Sequence, residues 1–131
     1  MTHSLGSCIG LSLYDPETRI GGMIHCMLPV SEIDPDRASA LPCMFTDTGV
    51  PLLIGAMLDL GAEKHRLIAK GAGAAQLLDC SNVFNIGLRN QVVLRKVLSK
   101  NNILIAGEDT GGTNARTMIL RMESGETILR S

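Results

Sequence analysis

Aromatic residues are almost absent from this 131-residue chain, which has no Trp, one Tyr and two Phe. Because hydrophobic residues still make up 45% of it, the core must be built from aliphatic side chains. Nucleic-acid modules that stack bases on aromatic rings are therefore not expected. The sequence has no basic run and its formal charge is −1, which also argues against a surface for nucleic acid or an anionic membrane.

Paired cysteine motifs are missing as well. The four cysteines, Cys8, Cys26, Cys43 and Cys80, form no C-x-x-C pair, so neither a zinc site nor a thioredoxin-type motif is expected. Nothing resembles a signal peptide, and apolar runs stop well short of a membrane span. We therefore expect free thiols in a reducing cytoplasm, with no metal or cofactor.

The chain length and the lack of a linker-like stretch predict a single domain over residues 1–131. Helical periodicity predicts two main helices, from about Thr48 to Gly61 and from about Asn90 to Lys100. Strands are expected at 8–14, 20–28, 66–69, 103–106, 116–121 and 127–130. Residues 29–46, with three prolines, are expected to be irregular. This pattern predicts an α/β fold with a mixed or antiparallel sheet.

The first two predicted strands form a β-hairpin around Asp15-Pro16-Glu17-Thr18, a sequence typical of a type I turn. A turn centred on Pro16-Glu17 would pair Leu13 with Ile20, so that the apolar faces of both strands meet. A slip of one residue would mix apolar and polar faces. In the accepted register, Cys8 lies opposite His25, within reach of a thiol–imidazole contact.

A thiol beside an imidazole is the arrangement of a cysteine hydrolase. The imidazole of His25 can take the proton of the Cys8 thiol, the thiolate can attack a carbonyl carbon, and the imidazolium can then protonate the leaving amine. Gly6, Ser7 and Gly10 leave the approach to Cys8 open. From the residues alone the alternative stays open, because a lone cysteine in a strand is most often a small buried side chain.

We expect structural roles for the other reactive side chains. Cys26 should point to the opposite, apolar face of its strand, and Cys43 and Cys80 are expected to pack rather than react. His65 should be a solvated strand-edge residue, and His3 lies at the chain end. We expect Arg89 and Arg116 to form ion pairs with Glu108 and Asp109, and Gly111-Gly112 to be a tight turn between strands.

Four blocks carry a resemblance to a known family. They are LGSC at 5–8, GGMIHCMLP at 21–29, NIGLRN at 85–90 and EDTGG at 108–112. These blocks, in this order along nearly the whole chain, resemble the CheD family of chemoreceptor glutamine deamidases. The resemblance implies an α/β sandwich with two β layers and a reaction that converts receptor glutamines to glutamates with release of ammonia.

The resemblance also implies roles for particular residues and partners. The family's nucleophile falls on Cys8 and its base on His25, and a threonine six residues before the cysteine, here Thr2, would orient the histidine. The implied substrate is the cytoplasmic helices of methyl-accepting chemoreceptors, and the implied second partner is a CheC-type phosphatase. Family members commonly have a further segment ahead of this motif, so we expect the natural chain either to extend beyond Met1 or to lack the preceding strand.

Two alternatives to the deamidase remain open from the sequence. The first is a non-catalytic adaptor that binds a CheC-like phosphatase or a receptor helix. The same side chains could instead hydrolyse the esters of methylated receptor glutamates. Loss of ammonia release in a Cys8→Ala variant would separate the enzyme from the adaptor.

Overall fold

Two β-sheets and three α-helices make up the computed structural model, which describes residues 1–75, 86–112 and 114–130, with only the backbone described at His3 and Ser4. The strands are β1 (Thr2–Leu5), β2 (Ile9–Asp15), β3 (Ile20–Cys26), β4 (Ile68–Gly73), β5 (Ile105–Thr110), β6 (Arg116–Leu120) and β7 (Thr127–Arg130). The helices are α1 (Pro35–Ala40), α2 (Thr46–Asp59) and α3 (Ile86–Lys100).

The larger sheet has four strands in the order β3-β2-β4-β5, with β4 and β5 parallel and the other neighbours antiparallel. The smaller sheet has the order β1-β6-β7 and is antiparallel throughout. The predicted α/β fold with two β layers, a mixed sheet and two main helices is confirmed.

The larger sheet is covered on both faces. Leu11 and Leu13 of β2 point to one face, where they share a core with Ile54 of α2 and Leu94 of α3. The opposite face meets the smaller sheet, and a second cluster of buried residues, Leu5, Ala72 and Met118, lies between the layers. Because side chains alternate along a strand, β2 gives Leu11 and Leu13 to the helix-facing core, while Ser12 and Tyr14 contact the β6–β7 side through their hydroxyl groups.

The predicted register of the hairpin is wrong by two residues. Leu13 pairs with Gly22 rather than Ile20, and Asp15 pairs with Ile20 rather than Thr18. The loop therefore has four residues, and Arg19 takes a left-handed conformation with φ of 57°. A shift of two residues keeps every side chain on its predicted face, so matching the apolar faces could not detect it.

The buried Asp15 side chain fixes this turn. One carboxylate oxygen accepts a hydrogen bond from the Glu17 N–H at 3.0 Å, and the carboxylate also pairs with Arg66 at 2.9 Å. The Arg66 guanidinium holds the pKa of Asp15 well below its ordinary range, with backbone N–H groups acting in the same direction. Asp15 therefore stays charged and ties the hairpin to the segment before β4.

The predictions identify the buried apolar face of each helix but start both helices too late. Helix α2 begins at Thr46 rather than Thr48, and α3 begins at Ile86 rather than Asn90. Val50, Ile54 and Met57 are buried on α2, as are Leu94 and Leu98 on α3. Leu58, predicted to lie on the inner stripe of α2, is instead 37% exposed.

Several strand and loop boundaries differ from the predictions. The strand predicted at 66–69 is β4, which starts at Ile68 and extends through the glycines to Gly73. The strand predicted at 103–106 starts at Ile105 and runs to Thr110. Strand β1 was not predicted, and residues 29–46 contain α1 and two short 3-10 helices rather than only irregular backbone. Gly111 and Gly112, where a turn was predicted, directly follow β5 and have positive φ angles of 82° and 68°.

Candidate active site

His25 lies near the end of β3 and faces the smaller sheet. Its Nδ1 atom is 2.8 Å from the hydroxyl oxygen of Thr2 in β1, so the two sheets meet through a hydrogen bond. Burial lowers the pKa of His25 below its ordinary value. The imidazole is therefore neutral at pH 7, with one ring nitrogen engaged by Thr2 and the other left for a second partner.

The residue opposite His25 on β2 is Gly10 and not Cys8, which corrects the predicted pairing. Cys8 directly precedes β2 and is a diagonal neighbour of His25, because it lies two residues before Gly10, the paired position. Diagonal neighbours lie about 7–8 Å apart on a sheet, with their Cβ atoms somewhat closer. Gly10 has no side chain to separate them.

Cys8 shares the inter-sheet face with His25. It is half-buried and packs against the cluster of Leu5, Ala72 and Met118. Burial raises the pKa of the Cys8 thiol, and its own backbone N–H acts in the opposite direction. In the free protein, burial thus favours a neutral thiol beside a neutral imidazole over the thiolate–imidazolium pair.

The backbone around Cys8 is held from the β4 side. The carbonyl of Cys8 accepts a hydrogen bond from the Ala74 N–H at 2.7 Å, and the carbonyl of Gly6 accepts one from the Ala75 N–H at 2.8 Å. Gly73 makes this approach possible, because a Cβ atom there would lie 2.4 Å from the Cys8 carbonyl oxygen. Gly73 also has φ of 102°, which L side chains rarely adopt.

Cys26 and Cys43 do not join the site. Cys26 is fully buried in the helix-facing core, as predicted, and burial raises its pKa to about 12. Cys43 is exposed, so its predicted packing role is wrong. Its short 3-10 helix runs along the surface between α1 and α2. Cys80 lies outside the described residues.

His65, Glu108 and Arg116 each contact a neighbouring side chain that can carry the opposite charge. His65 is on a short 3-10 helix before β4, its side chain 75% exposed and 3.5 Å from Glu63, so it is solvated but is not in a strand. Arg116 pairs with Asp109 at 3.3 Å, as predicted. Glu108 pairs with Arg95 at 3.0 Å rather than with Arg89.

Arg116 also supports the loop behind Cys8. Its guanidinium donates to the Gly73 carbonyl at 3.0 Å and to the Gly111 carbonyl at 2.8 Å. The tight turn at Gly111-Gly112 is thereby joined to the end of β4. Sequence reasoning assigned Arg116 an ion pair and missed these two bonds, since backbone carbonyls leave no signal in a sequence.

The described residues also bear on metal binding and on membrane spanning. Among them, no three His, Cys, Asp or Glu side chains come together as a group that could hold a metal ion. None of the helices described is long and apolar enough to cross a membrane.

The protein is thus an α/β protein in which a thiol, an imidazole and a hydroxyl lie between two β layers. The thiol and the imidazole are a candidate nucleophile and a candidate base. The family model described as "CheD chemotactic sensory transduction" matches residues 27–131. A protein of Solibacter usitatus named "Probable chemoreceptor glutamine deamidase CheD" is 54% identical over 129 residues, which cover 98% of this chain and 76% of that protein. The chain belongs to the CheD family, as its sequence blocks predicted.

More distant relatives match over the same extent. A protein of Syntrophus aciditrophicus, named "Probable chemoreceptor glutamine deamidase CheD 1", is 47% identical over 131 residues, covering 100% of this chain and 82% of that protein. One from Pyrococcus horikoshii, named "Probable chemoreceptor glutamine deamidase CheD", is 40% identical over 131 residues, covering 98% of this chain and 80% of that protein. The similarity thus includes the segment of Cys8, which the family model does not reach.

Proposed function

We propose that this chain is a cysteine-dependent protein-glutamine deamidase that converts glutamine side chains of chemoreceptors to glutamate. The observation that carries the proposal is the contact of Thr2 with His25 at 2.8 Å, beside a half-buried Cys8 on the same face of the larger sheet. The names of the curated relatives supply the substrate class.

In the first step the Cys8 thiol gives its proton to Nε2 of His25 while its sulfur attacks the carboxamide carbon of the substrate. The C–N bond then breaks, and the imidazolium returns the proton to the departing nitrogen, which leaves as ammonia. The product of this half-reaction is a thioester between Cys8 and the substrate. Burial keeps both groups neutral at rest, so proton transfer accompanies attack.

In the second step His25 takes a proton from a water molecule that attacks the thioester carbon. The C–S bond breaks, the sulfur recovers a proton from the imidazolium, and the substrate leaves as a glutamate side chain. The complete reaction consumes one water for each amide and returns Cys8 and His25 to their starting states.

Thr2 would act through His25. When Nδ1–H of the imidazole donates to the Thr2 hydroxyl oxygen, the lone pair of Nε2 is free to accept the thiol proton. The hydrogen bond therefore selects the useful tautomer and holds the ring in one orientation. Thr2 is a positioning residue in this scheme, whereas Cys8 and His25 are the catalytic residues.

The backbone N–H of Cys8 is proposed as a donor to the oxyanion that would form. It already interacts with the sulfur strongly enough to lower the thiol pKa in part. An N–H group at this place can stabilise a negative oxygen on the carbon that the sulfur attacks. The hydrogen bonds from Ala74 and Ala75 would keep this donor fixed.

The surroundings of the reaction are part of the same proposal. The substrate would be the cytoplasmic helices of methyl-accepting chemoreceptors, which places the protein in the cytoplasm. A CheC-type phosphatase is proposed as a second partner. The relatives' names support the receptor substrate, and the phosphatase rests on the resemblance to the family alone.

The direct test is to incubate the purified chain with a receptor cytoplasmic fragment and to measure ammonia together with the mass change of glutamine-containing peptides. Cys8→Ala should lower kcat by roughly 1,000-fold or more. Cys43→Ser is the matched control, because it removes an exposed thiol far from His25 in the chain and should leave kcat unchanged. Undiminished release by a folded Cys8→Ala variant would overturn the mechanism, and a wild-type chain that binds receptor without releasing ammonia would favour the adaptor.

A further inference from the structure

Asn90 is a fully buried polar residue one turn into α3. Its side-chain NH2 group donates to the carbonyl of Ser7 at 2.9 Å and to the carbonyl of Met27 at 3.2 Å. Its side-chain oxygen accepts a hydrogen bond at 3.0 Å from the hydroxyl of Thr46, which is also fully buried. Three of the four hydrogen-bonding positions of the amide, its two N–H donors and one acceptor position on its oxygen, are thus used within the protein.

The two carbonyls that Asn90 binds flank the candidate active site. Ser7 directly precedes Cys8, and Met27 comes two residues after His25. One side-chain amide therefore joins the segment that carries the thiol to the segment that carries the imidazole.

The strand ladder does not make this connection. The pairing of β2 with β3 ends at Ile9 and Cys26, one residue short of Cys8. The next N–H on the β3 side, that of Met27, donates instead to the carbonyl of Met44 at 2.8 Å. Beyond this point the segments that follow β3 and precede β2 are no longer paired in the ladder. The Asn90 amide joins them in place of a backbone hydrogen bond.

We propose that Asn90 is a positioning residue that sets the distance between Cys8 and His25, an inference that rests on the proposed deamidase function. Cys8 lies beyond the last pair of the β2–β3 ladder, and the hydrogen bonds from Ala74 and Ala75 tie its segment to the end of β4 and not to the segment of His25, which the Asn90 amide reaches. A shift of about 1 Å in such a pair can cost on the order of 100-fold in rate.

The carbonyls of Ser7 and Met27 set the direction of the amide, and the Thr46 hydroxyl donates to the amide oxygen on the other side. Carbonyl oxygens only accept hydrogen bonds, so the NH2 group must face Ser7 and Met27 and the oxygen must face Thr46. The Thr46 hydroxyl also lies 3.3 Å from the carbonyl of Leu28. An aspartate at position 90 would turn a carboxylate oxygen toward two carbonyl oxygens and break the bridge.

The test compares the wild-type chain with Asn90→Asp, Thr46→Val and Thr46→Ser. Asn90→Asp should lower kcat roughly 10- to 100-fold with KM little changed, because positioning affects the reaction and not docking. Thr46→Val should lower kcat in the same direction, and Thr46→Ser, which keeps the hydroxyl, should restore it. If Asn90→Asp does not fold, the two Thr46 variants decide the matter through this rescue.

Tyr14→Phe is the control for a merely structural loss. The Tyr14 hydroxyl donates to the Met122 carbonyl at 2.6 Å, at the end of β2 remote from Cys8, so this variant also loses a side-chain bond to a backbone carbonyl. It should lower the melting temperature and leave kcat unchanged. A folded Asn90→Asp chain with wild-type kcat, or Thr46→Ser and Thr46→Val chains with equal kcat, would overturn the inference.

A second readout separates this inference from the proposed function. The alkylation rate of Cys8 by iodoacetamide, followed by peptide mapping against pH, needs no receptor substrate. Asn90→Asp should change its pH profile, whereas Tyr14→Phe should not. If the wild-type chain releases no ammonia, the deamidase proposal fails by itself, and an unchanged alkylation profile in Asn90→Asp would overturn the positioning role separately.

Discussion

The hydroxyl oxygen of Thr2 lies 2.8 Å from Nδ1 of His25, although the two residues are 23 positions apart and belong to different sheets. This hydrogen bond is how the smaller sheet reaches the candidate active site. Because β6 is the one neighbour of β1 among the described strands, the position of Thr2 depends on the packing of one layer on the other, and not on the hairpin that carries His25.

Replacing Thr2 tests whether that contact orients the base. Thr2→Val keeps the shape of the side chain and removes the hydroxyl, so we expect kcat to fall roughly 10- to 100-fold, less than the loss of the base itself. Thr2→Ser keeps the hydroxyl and should retain most of the activity. Steady-state deamidation of a receptor fragment measures both, and equal activity of the two variants would contradict the role.

The pH dependence of kcat/KM should show a broad maximum. Burial lowers the pKa of His25 below its ordinary value of about 6.5, so the imidazole can accept a proton until the pH falls through that lowered value. Burial raises the pKa of Cys8 above its ordinary value of about 8.5, so the thiol keeps its proton until the pH rises through that raised value. Activity should therefore fall on the acid side once the pH passes below the lowered pKa of His25, and on the alkaline side once it passes above the raised pKa of Cys8.

The residual activity of a His25→Gln variant provides the control for that profile. Glutamine does not titrate, so the acid limb should disappear while the alkaline limb remains. Rapid alkylation of wild-type Cys8 at about pH 5 would contradict the assignment, since it would show a thiolate–imidazolium pair already formed in the free protein.

Gly73 should tolerate no side chain. Gly73→Ala places a Cβ atom 2.4 Å from the Cys8 carbonyl oxygen at a residue with φ of 102°. Backbone strain of this kind costs about 1–3 kcal/mol, and relief by movement of Cys8 would also lower kcat. Chemical denaturation and the deamidation assay measure the two effects.

Gly55→Ala is the matched comparison. Gly55 lies in α2 and a Cβ atom there would meet no atom within 4 Å, so alanine should stabilise the helix by about 0.5–1 kcal/mol. Its kcat should equal that of the wild type. Equal loss of stability in both glycine variants would show that close approach to Cys8 is not the cause.

The sequence predicted which side of the sheet carries the site but not its detailed geometry. Period-two alternation determined that Cys8 and His25 share a face, and it does so in any register that differs by two residues. The actual register depends on a four-residue loop in which Arg19 takes a left-handed conformation. No glycine or asparagine marks that position, so turn chemistry pointed to a shorter loop.

Two further parts of the site had no signal in a single sequence. Strand β1 is four residues long and pairs with a strand more than a hundred positions away, so only the family resemblance suggested a role for Thr2. The apolar periodicity predicts Asn90 as the first residue of a helix, whereas this helix begins at Ile86. An apolar stripe predicts which hydrophobic residues are inside, and it does not report a buried amide between them.

The pairing of β1 with β6 has a consequence for synthesis of the chain. Thr2 is opposite Met118, and Leu5 is opposite Arg116. A ribosome emits the first residues long before the last, so a nascent chain has the thiol and the imidazole outside the exit tunnel while the strand that holds Thr2 still lacks its neighbour. The Thr2 hydroxyl can form its hydrogen bond with His25 only after β6 has emerged. The thiol, the imidazole and the hydroxyl would therefore come together late in folding, after the hairpin of β2 and β3.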